Sequence, residues 1–123
     1  MMRFKFFILL KLESIQVKEE KMNILLACGG GMSSSILATA LAKEAAGHQQ
    51  DWHVHETSID KVEDDLNEND YQVILLAPQV SFKKKDFEEV AAEKNAKFVL
   101  IPMTMYTPAK VDKLYELIVK ETE

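Results

Sequence analysis

Three continuously apolar runs, each closed by a chain breaker, most constrain what this sequence can fold into. They are Ile24-Leu25-Leu26-Ala27 before a glycine run, Val73-Ile74-Leu75-Leu76-Ala77 before Pro78, and Phe98-Val99-Leu100-Ile101 before Pro102. A strand that is apolar at every position buries both faces, the pattern of a parallel sheet covered by helices on each side. A fourth segment, Trp52 to Thr57, alternates as a half-exposed strand does. Between the strands, apolar residues recur at helical spacing. Ile36, Leu37, Ala40 and Leu41 mark one face, with Gly47 placed to stop the helix. Ile59, Val62 and Leu66 follow Ser58 as a cap, and Asn67 to Asp70 is a polar loop. Phe87, Val90 and Ala91 mark a third helix. Val111, Leu114, Tyr115 and Ile118 mark the last, which Thr107-Pro108 starts as cap and first helical residue. Strand–helix alternation of this kind predicts an α/β fold, a four-stranded parallel sheet with helices on both faces.

A chain of 123 residues is one domain's worth, and 47% apolar residues supply one core. That composition excludes a disordered chain and a disulfide scaffold. A net charge of −5 argues against non-specific nucleic-acid binding, which needs a basic surface to displace phosphate counterions. The single cysteine, Cys28, forms no internal disulfide and fits a reducing compartment.

The first 21 residues read differently. Met1 to Leu12 is apolar with scattered positive charge, and Arg3 and Lys5 precede Phe6-Phe7-Ile8-Leu9-Leu10. Lys11 interrupts that run before it reaches the roughly seven to fifteen residues of a signal h-region, and a membrane span needs about twenty. Residues 1–21 are read as an N-terminal extension and 22–123 as the domain, with Met22 its natural start.

In a doubly wound sheet, ligands bind beyond the carboxyl ends of the strands. Three loops fall there: Cys28 to Ser35, Pro78 to Phe82, and Pro102 to Thr107. The first carries chemistry: Cys28-Gly29-Gly30-Gly31-Met32-Ser33-Ser34-Ser35. Glycines let main-chain N–H groups approach a bound group, and the helix that starts there offers unpaired N–H groups, together an anion site. The same donors favour the thiolate form of a cysteine placed among them. The helix dipole alone contributes only about 0.3–1 kcal/mol, so direct N–H donors must supply most of that effect. A thiol nucleophile in an oxyanion cradle is equipped to accept a phosphoryl group. The plain alternative is a small buried residue closing a strand. Neither a Walker A loop nor a dinucleotide fingerprint fits, since no Gly-Lys-Ser/Thr follows.

At these residues the sequence resembles the IIB component of bacterial sugar phosphotransferase systems, lactose/cellobiose/chitobiose class. Its motif, roughly Cys-x-x-Gly-Met-Ser-Ser/Thr-Ser, is matched in order by Cys28, Gly31, Met32, Ser33, Ser34 and Ser35, and Leu75-Leu76-Ala77-Pro78-Gln79-Val80 is similar to the family's strand ending in Pro-Gln. The resemblance implies a sheet like that of low-molecular-weight tyrosine phosphatases. It implies that Cys28 accepts phosphate from a phosphohistidine on a IIA protein, with Gly29 to Ser35 as the cradle. The phosphate then goes to a sugar imported by the membrane IIC permease, a β-linked disaccharide such as cellobiose, chitobiose or lactose. It implies a cytoplasmic place, no membrane span of its own, and no cofactor or metal. The family's Tyr-Gly after the fourth strand is here Tyr106-Thr107, and residues 1–21 have no counterpart.

Two other readings stand beside it. A cysteine-dependent, low-molecular-weight phosphatase-like hydrolase places an arginine six residues after the cysteine, to clamp the phosphoryl oxygens. Ser34 stands there, Arg3 is the chain's one arginine, and no proline follows an aspartate. The other is a non-catalytic regulatory domain of the same fold. Among remaining residues, Gln79 is a candidate second contact to the phosphoryl group, against a turn-capping role. Lys83, Lys84 and Lys85 are either a docking patch or a solvated helix start. Met103, Met105 and Tyr106 are either a partner rim or core. His53 and His55, with His48 nearby, are either metal ligands or an exposed strand face, and no motif joins a further ligand to them.

Overall fold

A computed structural model describes residues 21–29 and 33–122. The extension at 1–21 lies outside them except for Lys21, as do three loop residues of the expected cradle, Gly30, Gly31 and Met32.

Four strands form the sheet: β1 (Lys21–Cys28), β2 (Asp51–Ser58), β3 (Val73–Leu76) and β4 (Lys97–Leu100). All pair in parallel, in the order β2-β1-β3-β4. The helices are α1 (Ser33–Gly47), α2 (Val62–Glu68), α3 (Lys84–Glu93) and α4 (Val111–Thr122). This is the fold expected from the alternation of apolar runs.

The sheet divides the core into two layers. Ile24 and Leu26 of β1, with Val73 and Leu75 of β3, pack against Leu37, Leu41 and Ala45 of α1 and Leu114 and Ile118 of α4. Leu25, Ala27, Ile74 and Leu76 point to the other side, against Val62 and Leu66 of α2 and Phe87 and Ala91 of α3. Every residue from Ile24 to Ala27 and from Val73 to Ala77 is fully buried, which explains their unbroken apolarity.

Some local expectations shift. Ile36 is 59% exposed, so the inner stripe of α1 runs through Leu37, Ala38, Leu41 and Ala45 instead. A 100° helical step carries position 36 outward once Leu37 and Leu41 face the sheet. Helix α1 does end at Gly47, but the left-handed residue that turns the chain is Gln49, at φ 62°. Ser58 and Thr107 start 3₁₀ turns rather than α-helices, and neither makes a side-chain cap. Pro108 holds its expected first helical position.

The chain switches direction across the sheet between β1 and β3. Their carboxyl ends lie side by side, tied by Ala77 N–H donating to Ala27 O at 2.9 Å. The loop after β1 and the 3₁₀ segment Pro78–Lys83 after β3 therefore share one end of the sheet.

Candidate phosphoryl-transfer site

Cys28 is the last residue of the central strand β1, at this switch point. It is 4% exposed and packs with the α2/α3 layer, out of step with Ile24 and Leu26. Its polar neighbours are specific. Cys28 Sγ lies 3.1 Å from Ser34 Oγ, in the first turn of α1, and 3.4 Å from Thr57 O, at the end of β2. Ser34 Oγ in turn donates to Glu56 Oε1 at 2.9 Å. Both oxygens are within hydrogen-bond reach of the sulfur.

Ser34 is 1% exposed, the least accessible polar residue described. Its hydroxyl accepts from the thiol and donates to the carboxylate, which offsets part of the cost of burying it. Ser34 occupies the position at which a hydrolase carries its arginine. A hydroxyl tied to an acidic residue stands where a cationic clamp would be needed.

The remaining expected cradle residues distribute as follows. Gly29 is exposed, and a β-carbon there would stand 3.3 Å from Val80 Cγ1 of the neighbouring loop. Ser33 opens α1, and Ser35 is half-buried in its first turn, its carbonyl accepting from Thr39 Oγ1. Gln79 is exposed on the loop after β3, at the same end of the sheet.

The other candidates lie as follows. Lys83 and Lys84 pair with Asp86 and Glu88 of their own segment, at 3.7 and 3.2 Å. Met103 is 65% exposed, whereas Met105 packs into the core and Tyr106 packs against both core layers. His48 stacks on Tyr115 at 4.2 Å and meets Glu44 at 3.1 Å. His53 lies 3.5 Å from Asp51, and His55 lies 3.8 Å from Asp65. Among the described residues, no three His, Cys, Asp or Glu side chains gather closely enough to hold a metal ion. Also among them, no helix is long and apolar enough to cross a membrane.

Sequence reasoning missed Glu56. The alternation of β2 puts it on the same face as Trp52 and Val54, where a carboxylate interrupts the apolar side of the strand. Its proximity to the thiol follows from strand register, Leu26 opposite Glu56 and Cys28 opposite Ser58, which local sequence does not encode.

Comparison with known proteins adds to this geometry. Residues 23–117 match the family described as the PTS system lactose/cellobiose-specific IIB subunit. The chain is 33% identical over 93 residues to the oligo-beta-mannoside-specific EIIB component of Bacillus subtilis, covering 76% of this chain and 88% of that one. It is 32% identical over 94 residues to the cellobiose-specific EIIB component of Lactococcus lactis, covering 74% and 87%. The lactose-specific IIB domain of Streptococcus pneumoniae superposes with a TM-score of 0.73 at 19% identity, covering 84% of this chain and 99% of that one. That likeness concerns the fold. The cellobiose-specific IIB protein of Borrelia burgdorferi superposes with a TM-score of 0.63 at 29% identity, covering 83% and 92%.

Proposed function

The chain belongs to the lactose/cellobiose-specific IIB family of the sugar phosphotransferase system, and from that premise we propose that Cys28 is the residue on which it carries the phosphoryl group. IIB components are phosphotransferases that pass phosphate from a IIA protein toward a sugar. The observation that supports Cys28 most is its place: the described residues' one thiol, at the carboxyl end of the central strand, beside the start of α1 and the loop after β3.

The transfer is an in-line displacement. The Cys28 sulfur attacks the phosphorus held on the histidine of the IIA protein. The S–P bond forms as the P–N bond breaks, and the electron pair returns to the imidazole. Main-chain N–H groups of the cradle from Gly29 to Ser35 stabilise the equatorial oxygens, and Gln79 reaches the site from the neighbouring loop. At the IIC permease a sugar hydroxyl attacks the thiophosphate, with the base supplied there. The sugar is a β-linked disaccharide such as cellobiose, chitobiose or lactose. Relatives named for cellobiose and for oligo-beta-mannosides support that class. This scheme routes no step through a metal, and it places the protein in the cytoplasm, where its donor is made.

Mass spectrometry tests the assignment. After incubation with phosphoenolpyruvate, the general phosphotransferase proteins and a matching IIA, the chain gains one phosphoryl group, and Cys28→Ser gains none. Uptake in Cys28→Ser moves the acceptor elsewhere. Turnover of an aryl phosphate by the unmodified chain favours the hydrolase.

A further inference from the structure

We propose that Glu56 is the terminal proton acceptor of a relay that activates Cys28 through Ser34. The proposal rests on Cys28 being the phosphoryl acceptor, and adds a residue to that reaction.

The direction of the hydrogen bonds follows from the groups. An ionised carboxylate only accepts, so the 2.9 Å contact requires Ser34 to donate to Glu56 Oε1. A hydroxyl has one proton, so the Ser34 oxygen faces the sulfur as an acceptor. The 3.1 Å contact therefore requires the Cys28 S–H to donate. Thr57 O, at 3.4 Å, is the longer, competing acceptor for that one proton. The resting site holds a thiol with a continuous proton path to a carboxylate. Cys28 is 4% exposed and Ser34 1%, so bulk water is poorly placed to take that proton directly. Glu56 lies exposed at the far end of the path, where it holds the proton.

The step balances. The thiol proton moves to Ser34 Oγ as the serine proton moves to Glu56 Oε1. The products are a thiolate, an intact hydroxyl and a neutral carboxylic acid. Both hydrogen bonds reverse: Ser34 now donates to the sulfur it previously accepted from. The hydroxyl thus changes from a partner of the thiol into a partner of the thiolate, without moving. The pair carries one negative charge before and after, so the incoming phosphoryl group never meets an ionised sulfur and an ionised Glu56 together. The thiolate then attacks phosphorus as described above.

The test follows two rates on the full chain at neutral pH. One is alkylation of Cys28 by iodoacetamide, and the other is phosphoryl uptake from a phosphorylated IIA. Glu56→Gln keeps an acceptor for Ser34 but cannot take the proton. Both rates should fall by about tenfold or more, toward the range that general bases supply, while uptake still ends at one phosphoryl group per chain. Glu56→Asp should recover part of the loss. Ser34→Ala should match Glu56→Gln, and the double variant should be no slower than the slower single, since one chain is broken once. Unchanged rates in a folded Glu56→Gln overturn the relay. So does faster alkylation, the sign expected if Glu56 acts only by repelling the thiolate. Should Ser34→Ala fail to fold, Glu56→Gln and Glu56→Asp, at an exposed position, still decide the matter. Wild-type chain that takes up no phosphate, yet shows the alkylation pattern, sinks the carrier assignment and keeps the relay.

Discussion

A β-carbon added at Gly29 would meet Val80 Cγ1 at 3.3 Å, closer than ordinary van der Waals contact. Val80 is 6% exposed and stiff at χ1, so it yields little. Gly29→Ala should cost about 1 kcal/mol or more of stability by urea unfolding. Adding Val80→Ala should recover part of the Gly29→Ala loss, coupling that distant sites would not show. A second expectation concerns Tyr71. Burial raises its phenol above the ordinary value of about 10, and the negative charges of Asp65 and Glu68 raise it further against an opposing hydrogen bond from Asn69. The folded chain therefore holds the proton longer than the unfolded chain. Stability is unaffected below pH about 10 and falls as pH rises from there through the folded value. Tyr115 is raised in the same direction, by burial first and Glu44 second, so Tyr71→Phe should remove part of the alkaline loss and leave the rest. An unaltered loss in urea unfolding across that pH range would contradict it.

At the scale of elements, the corrected face of α1 separates two substitutions that look alike in sequence. Leu37→Ala and Ile36→Ala each truncate an aliphatic residue. Leu37 is 1% exposed, and its loss should cost about 2–5 kcal/mol. Ile36 is 59% exposed, and its loss should stay within about 0.5 kcal/mol. Comparable losses in thermal melting would restore the original stripe. The strands were legible because burial on both faces leaves no polar residue between Ile24 and Ala27 or between Val73 and Ala77. The precise helix stripe was not, since Ile36, Leu37, Ala40 and Leu41 allow two rotations of α1 that differ by about one residue. The caps at Ser58 and Thr107 had the right residue types, yet the chain enters 3₁₀ turns there and the side chains make no cap. Cys28 and its loop stood out as a local motif. Glu56 did not, because a partner 28 positions away in sequence is brought to Cys28 only by the pairing of β1 with β2 and the start of α1.

For the whole molecule, we propose that residues 22–123 make up the phosphocarrier domain; the family match covers 23–117 of it. A chain shortened to begin at Met22 should accept one phosphoryl group at the rate of the full chain. Loss of uptake, with folding intact by circular dichroism, would give residues 1–21 a part in the transfer.

The layer that seats Ile24 and Leu26 is completed by Leu114, Tyr115 and Ile118, from the last helix. A nascent polypeptide emerging from the ribosome thus leaves this layer incomplete until the last helix has been made. Release of a product ending near residue 110 should leave β1 open to protease, whereas the finished chain resists.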